Sequence, residues 1–208
     1  MEDLQLNPQY EKIIDDLLNQ QYSIVDDFFL MKEVENLRSS LLDKYDEEDF
    51  KKAAIGNQFN ELIVKAIRGD FIFWIDEKLA NAKELAFFEK IEHFTNYLNR
   101  TCFLGIQERE FHYALYPEGT FYKRHLDTFQ NDDSRKLSLV CYLNDEDWLP
   151  EYGGELVIYK DGEDDIKVYP LKGRMVVFES QILEHEVKPV KQERLSITGW
   201  LKTRKINL

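Results

Sequence analysis

Apolar residues recur with a helical period through the first half of the chain and by alternation through the second. Between residues 9 and 22, Tyr10, Ile13, Ile14, Leu17 and Leu18 fall at helical spacing behind Pro8, which suits a first turn. Ser23 to Phe29 is a short apolar run that predicts an edge strand or the lead into one. Val34, Leu37, Leu41 and Leu42 restore the helical period over 31–45. From Asp46 to Asn60 the periodicity fades, predicting a mobile loop ahead of a strand over Ile67 to Trp74. Residues 77–99 form a third predicted helix, with Leu79, Leu85, Phe88, Ile91 and Leu98 as its buried candidates.

After Arg100 the period drops to two. From Glu110 to Tyr116, Phe111, Tyr113 and Leu115 share one face, and His112, Ala114 and Tyr116 the other. Leu137 to Leu143 alternates again, and further strands are predicted at 156–159, 166–169, 175–178, 185–190 and 195–201. Asn144-Asp145, Gly153-Gly154, Asp161-Gly162 and Lys172-Gly173 mark turns between them. Short strands at this spacing form a sandwich or a closed double sheet. With helices gathered first and strands second, the expected class is α+β: a double-stranded β-helix (jelly roll) braced by N-terminal helices. Nothing splits the chain, so one domain is expected over 1–208, with helical support about 1–100 and a jelly-roll core about 101–204.

Composition narrows the partners. Apolar residues at 43% and aromatics at 13% suit a packed core, while a net charge of −13 repels a phosphate backbone, so nucleic acid is not expected. No stretch approaches the roughly 18 apolar residues needed to span a bilayer, so no membrane partner is expected either. The N-terminus lacks a basic region followed by an apolar run, and Cys102 and Cys141 lack a Cys-x-x-Cys spacing. Both features suit a reducing, cytoplasmic setting.

The candidate chemistry lies between Tyr116 and Arg194. His125 and Asp127 are two apart and would share one face of a strand, where His185 from a later strand can meet them. Two imidazoles and a carboxylate on one side of an octahedron leave three positions open, which is the ligand set of a non-haem iron(II) site. A His-x-Asp pair alone is a common pattern, and the context is what strengthens it. Arg194, Ser196, Thr198 and Trp200 share one face of the last strand, and a guanidinium there offers a planar fork for a carboxylate. Tyr142 could add a hydroxyl to the same carboxylate. His93 reads as structural; His112 shares a face with Tyr116 and could line the pocket.

His125-x-Asp127, His185 and Arg194, in this order, resemble the 2-oxoglutarate- and iron(II)-dependent dioxygenases. A narrower resemblance, over roughly 67–203, is to the hypoxia-factor-type (EGL-nine-like) prolyl 4-hydroxylases and their bacterial relatives. It rests on Ile67-Arg68-Gly69-Asp70-x3-Trp74, on Tyr116-Pro117 with Gly119-Thr120 ahead of Arg124-His125-x-Asp127, and on Tyr142-Leu143-Asn144. Gly153-Gly154-x-Leu156, His185-Glu186-Val187 and Arg194-x3-Thr198-x-Trp200 complete it.

The resemblance implies that His125, Asp127 and His185 bind Fe(II), and that Arg194 and Tyr142 hold the distal carboxylate of 2-oxoglutarate. Tyr116 would line that co-substrate's pocket, with Thr198 beside it. O2 would be the second co-substrate, and the family leaves room for ascorbate. Arg68, Asp70 and Trp74 would fall near a substrate entrance, with Arg124, His112 and Trp200 around it and the loop at about 47–66 as a cover. The implied activity is hydroxylation of a prolyl residue in a protein or peptide, with succinate and CO2 as co-products. A translation-related protein is the narrower expectation for that substrate. Two departures bear on the substrate: Thr128 to Lys136 differs from the animal enzymes, and His112 stands where they carry a thioether. Three alternatives stand beside this reading: a small-molecule hydroxylase of the same superfamily, a non-enzymatic metal-containing jelly-roll binding or sensor module, and a nucleic-acid demethylase. The last would carry a second arginine and an asparagine where this chain has Ser196 and Trp200.

Overall fold

Local signals set the helix ends. The computed structural model describes residues 6–46, 51–52, 67–128, 134–145 and 148–204. Helix α1 (Pro8–Gln20) begins at Asn7, whose side chain accepts the N–H groups of Gln9 and Tyr10. It ends at Gln21 in the left-handed conformation, with φ 71°. Strand β1 (Tyr22–Val25), helix α2 (Met31–Asp46), the short β2 (Lys51–Lys52) and β3 (Phe71–Trp74) follow. Helix α3 (Ala82–Cys102) opens on a reciprocal capping box between Asn81 and Glu84.

That box starts α3 five residues later than the periodicity predicts. Asp76 instead folds the preceding residues into a turn by accepting the Lys78 N–H, and Leu79 is left 82% exposed. Leu85 and Leu18 also face solvent, whereas Phe88, Ile91 and Leu98 are buried as expected. No helix among the described residues is long and apolar enough to cross a membrane.

The remaining strands are β4 (Ile106–Tyr116), β5 (Tyr122–His125), β6 (Arg135–Tyr142), β7 (Leu156–Tyr159), β8 (Ile166–Val168), β9 (Met175–Glu179), β10 (Glu184–Val187) and β11 (Arg194–Thr203). They form two antiparallel sheets, ordered β1-β9-β6-β11-β4-β3-β2 and β5-β10-β7-β8. From β4 to β11 the chain passes back and forth between the sheets, broken only by the β7–β8 pair. That winding is the jelly roll, and β1 lies at a sheet edge as its short apolar run predicts.

Alternation assigns each face of the seven-stranded sheet to a different core. Phe111, Tyr113, Leu115, Leu139, Cys141, Val177 and Ile197 pack with Ile13, Leu37, Phe94 and Leu98 of the helices. Ala114, Tyr116, Val140, Tyr142, Val176 and Phe178 pack with Leu156, Ile158 and Val187 of the other sheet. Because both faces are covered, the strands are apolar nearly throughout. The exceptions are informative: His112, Ser138, Arg194 and Ser196 are buried polar residues on the inner alternation. His93, by contrast, shares a hydrogen bond of 3.1 Å between its Nδ1 and the Tyr10 hydroxyl on the helical side, consistent with a structural role.

Candidate metal centre and co-substrate cradle

Strand pairing brings His125 of β5 directly opposite His185 of β10. Asp127 comes from the bend after β5, not from the strand. The expected same-face pair is therefore half right: β5 stops at His125, and the turning chain swings the carboxylate back under the imidazole. His125 Nε2 lies 3.5 Å from Asp127 Oδ1, and His185 Nε2 lies 3.6 Å from Asp127 Oδ2. One ligand atom from each of the three residues lies within 4.8 Å of the others. Metal–ligand bonds of about 2.1 Å place adjacent octahedral donors about 3 Å apart, so the set closes on an ion with small side-chain movements.

The donor chemistry is already set. His125 Nδ1 is 2.7 Å from the Lys123 carbonyl and His185 Nδ1 is 3.2 Å from the Leu183 carbonyl. A carbonyl can only accept, so each Nδ1 carries a proton and each Nε2 is turned to the carboxylate, donating to it when the ring is protonated and offering a free lone pair when it is neutral. Asp127 is 7% exposed, and burial alone would raise its pKa. His185, His125 and the Ser138 hydroxyl outweigh that and hold the carboxyl well below its usual range. Burial lowers the pKa of His185, with Asp127 opposing. Ser138 Oγ donates to Asp127 Oδ2 at 2.6 Å and is itself 2.8 Å from Ser180 Oγ.

At the other end of the inner face lies Arg194, 2% exposed, the largest of the fully buried side chains. Its register partner is Tyr116, and the guanidinium carbon is 4.9 Å from the ring centroids of both Tyr116 and Tyr142. Among the described residues no carboxylate pairs with it; Nη1 reaches Ser196 Oγ at 3.5 Å, and Nε has no hydrogen-bond partner. The Tyr142 hydroxyl, fully buried, also has none. A buried cation without an anion and a buried hydroxyl without a hydrogen-bond partner are costly unless a bound anion completes them. Ser138 and Tyr142 are four residues apart on β6, so about 13 Å of strand separates the carboxylate and guanidinium levels before the side chains reach inward. Thr198, half-buried, sits between them, across from Val140 and His112.

Asn144 holds this end in place. Its Oδ1 accepts the Leu195 N–H at 2.6 Å and its Nδ2 donates to the Pro170 carbonyl at 2.7 Å. Gly154 passes under Arg194 with φ 70°, where a Cβ would lie 3.2 Å from Arg194 Cδ.

Toward the open side, His112 packs against both Trp74 and Trp200, at centroid distances of 4.8 and 5.6 Å, and the two indoles meet each other at 6.2 Å. Trp74 is half exposed; Trp200 is buried under the Arg135 guanidinium at 3.6 Å. Arg68 forks onto the buried Asp70 through bonds of 2.7 and 2.5 Å. Arg124 does not border the cleft. It projects from the outer face of β5, where Glu184 and the Tyr159 ring hold it. Most of the expected cover at 47–66 lies outside the described residues, as does 129–133 of the segment after Asp127. Ser138, Ser180, Tyr122 and Phe178 are contacts that motif reading missed. For Ser138 there was a signal, a hydroxyl residue on the inner alternation of an otherwise apolar strand.

Comparison with known proteins agrees with this geometry. The family model of the 2OG-Fe(II) oxygenase superfamily matches residues 111–202. A prolyl-4-hydroxylase from Pseudomonas putida is 36% identical with a TM-score of 0.85, and the match covers 95% of this chain and 100% of that one. The chain belongs to the 2OG-Fe(II) oxygenase superfamily. Fe(II), 2-oxoglutarate and O2 are the cofactor and co-substrates of such an oxygenase, and the donor set and the buried guanidinium without a carboxylate described above fit them. A Trichoplax adhaerens prolyl hydroxylase, solved with a hypoxia-inducible-factor oxygen degradation domain peptide, is 26% identical with a TM-score of 0.82. That match covers 93% of this oxygenase and 89% of the other chain. The hypoxia-inducible factor prolyl hydroxylase of Caenorhabditis elegans is 29% identical over 91% of this chain, which spans only 28% of that protein's length.

Proposed function

We propose that this oxygenase hydroxylates a prolyl residue in a protein or peptide, converting 2-oxoglutarate and O2 to succinate and CO2. The observation that carries the reading is the pairing, inside one cleft, of a His-Asp-His donor set with a buried guanidinium that has no anion of its own. Iron, when bound, supplies the redox chemistry that couples decarboxylation of the 2-oxo acid to insertion of one oxygen atom into a C–H bond.

The chain's own residues do the rest. His125 and His185 present neutral Nε2 atoms because backbone carbonyls fix their tautomers. Asp127, kept ionised, supplies the anionic ligand. Arg194 receives the far carboxylate as a bidentate fork and the Tyr142 hydroxyl donates beside it, which orients the 2-oxo end toward the metal ligands. Tyr116, packed against the guanidinium, closes that end to water. At the mouth, the half-exposed indole of Trp74 offers a flat apolar surface for a prolyl ring. Of the finer expectations, a translation-related substrate draws its support from the family resemblance, and a cytoplasmic setting from the free Cys102 and Cys141.

The test incubates the purified chain with Fe(II), 2-oxoglutarate and proline-containing peptides, including ones from translation proteins. Peptide-dependent succinate release and the gain of one oxygen atom on proline are expected, both lost in His125→Ala. Turnover stimulated only by small molecules, or oxygen on a residue other than proline, would overturn the proposal.

A further inference from the structure

We propose that Tyr122 is a positioning residue for the ligand His125, clamped from behind by Arg68; this rests on the reading of His125 as a metal ligand. The two histidines are unequally enclosed. The His185 side chain is 7% exposed, with its ring centroid 4.6 Å from that of Phe178 and the two planes at 63°, whereas that of His125 is 17% exposed and faces the open side. A single hydrogen bond from Nδ1 fixes one corner of the His125 ring and leaves its tilt free. Tyr122 removes that freedom. The two rings stack with centroids 3.7 Å apart and planes within 16°. The Arg68 guanidinium carbon lies 4.2 Å from the Tyr122 centroid. Two planar groups cannot share one ring face at those separations, so Tyr122 lies between Arg68 and His125. Arg68 is immobilised in turn by its fork onto buried Asp70.

The backbone builds this sandwich. In a regular strand residues 122 and 125 would point to opposite faces. Here the step from His185 to Val187 on β10 is matched by the three-residue step from His125 to Tyr122 on β5. That bulge brings Tyr122 and His125 to one side. Gly69 N–H donates to the Phe121 carbonyl at 3.0 Å and Lys123 N–H to the Ile67 carbonyl at 2.8 Å, so 67–69 runs alongside β5. Gly69 permits the close pass, since a Cβ there would lie 2.8 Å from Thr120 Cγ2. Arg68 is thus delivered by the segment that leads on into β3 of the other sheet. The imidazole is oriented before any metal arrives.

Co(II) is the probe, because its absorption bands report coordination geometry without turnover. Tyr122→Phe keeps the flat ring and should bind Co(II) within about twofold of the wild type, whereas Tyr122→Leu should bind about 10–100-fold more weakly with shifted bands. Arg68→Gln/Asp70→Asn removes the clamp without stranding a buried charge, and should shift the bands in the same sense with a smaller loss. Circular dichroism checks that each variant is folded; if Tyr122→Leu is not, the double variant decides. A folded Tyr122→Leu with affinity within about twofold of the wild type and unshifted bands overturns the proposal, as does a double variant unchanged in both. His125→Ala separates the two readings. Unimpaired Co(II) binding there defeats the metal assignment and the proposal together; lost binding there beside intact binding in Tyr122→Leu defeats the positioning role alone.

Discussion

His112 should make this protein acid-sensitive in a calculable way. The imidazole is 3% exposed, its Nδ1 has no partner, and Trp74 and Trp200 enclose it. Burial, assisted by Arg68 and opposed by Asp70 and Asp127, lowers its pKa from 6.5 to about 4. The folded value lies below the unfolded one. Between the two, the unfolded chain takes up a proton that the native state refuses, so stability is complete above 6.5 and is lost as pH falls toward 4. At about 1.4 kcal/mol per pH unit the whole window amounts to about 3 kcal/mol. His112→Met exchanges the ring for an apolar group of similar volume and should change stability at pH 7 by less than about 1.5 kcal/mol. Urea unfolding of the metal-free wild type and variant, at pH 7 and about 4.5, is the assay; the two proteins differ only at residue 112, so the difference between their pH dependences reports that imidazole and its coupling to its neighbours. The wild type should lose about 2–3 kcal/mol more than the variant on acidification. Parallel stability–pH curves would refute the claim that this imidazole is buried neutral.

Three further substitutions probe the cleft. Ser138→Ala removes the 2.6 Å hydrogen bond to Asp127 and should weaken Mn(II) binding about 10–100-fold, measured by calorimetry. Arg194→Lys keeps the charge and loses the planar fork. A charge-assisted hydrogen bond contributes about 1.5–3 kcal/mol, so KM for 2-oxoglutarate should rise about 10–100-fold in a succinate assay. Gly154→Ala forces a side chain into a left-handed position with φ 70° and into Val190 Cγ1 at 2.7 Å. It should cost about 1–3 kcal/mol in urea unfolding and weaken 2-oxoglutarate binding through displaced Arg194.

What could be read from the chain depended on whether a feature follows from side-chain type or from where the backbone goes. The alternation of Phe111 to Tyr116 predicts two buried faces, and both are found. Arg194 and Tyr142 stand out because a guanidinium and a phenol on the inner alternation of apolar strands require a partner. The contact between Tyr122 and His125 could not be read this way. It depends on a bulge in β5 that no Gly or Pro marks, and on Arg68 arriving from more than fifty residues upstream. Arg124 was misplaced for the same reason, because beside the bulge it points outward to Glu184. Leu79 was misplaced because an Asp76 turn and the Asn81 cap outrank a run of helical spacing.

The two-faced sheet also explains how the cleft can hold so many polar groups in a stable fold. Helices α1, α2 and α3 cover one face of the seven-stranded sheet with a continuous apolar core. That packing anchors β4, β6 and β11 independently of what their other faces carry. His112, Ser138 and Arg194 each occupy an inner position one residue from an outer core residue: Phe111 or Tyr113, Leu137 or Leu139, Leu195. The strand is therefore held through one set of side chains while the alternate set remains available for chemistry. A metal ligand set and an unpaired guanidinium are expensive to bury, and they sit where neighbouring residues on the same strands provide the compensating apolar contact. This is why the unpartnered atoms of Arg194 and Tyr142 can persist in a fold whose overall stability is only a small difference between large terms.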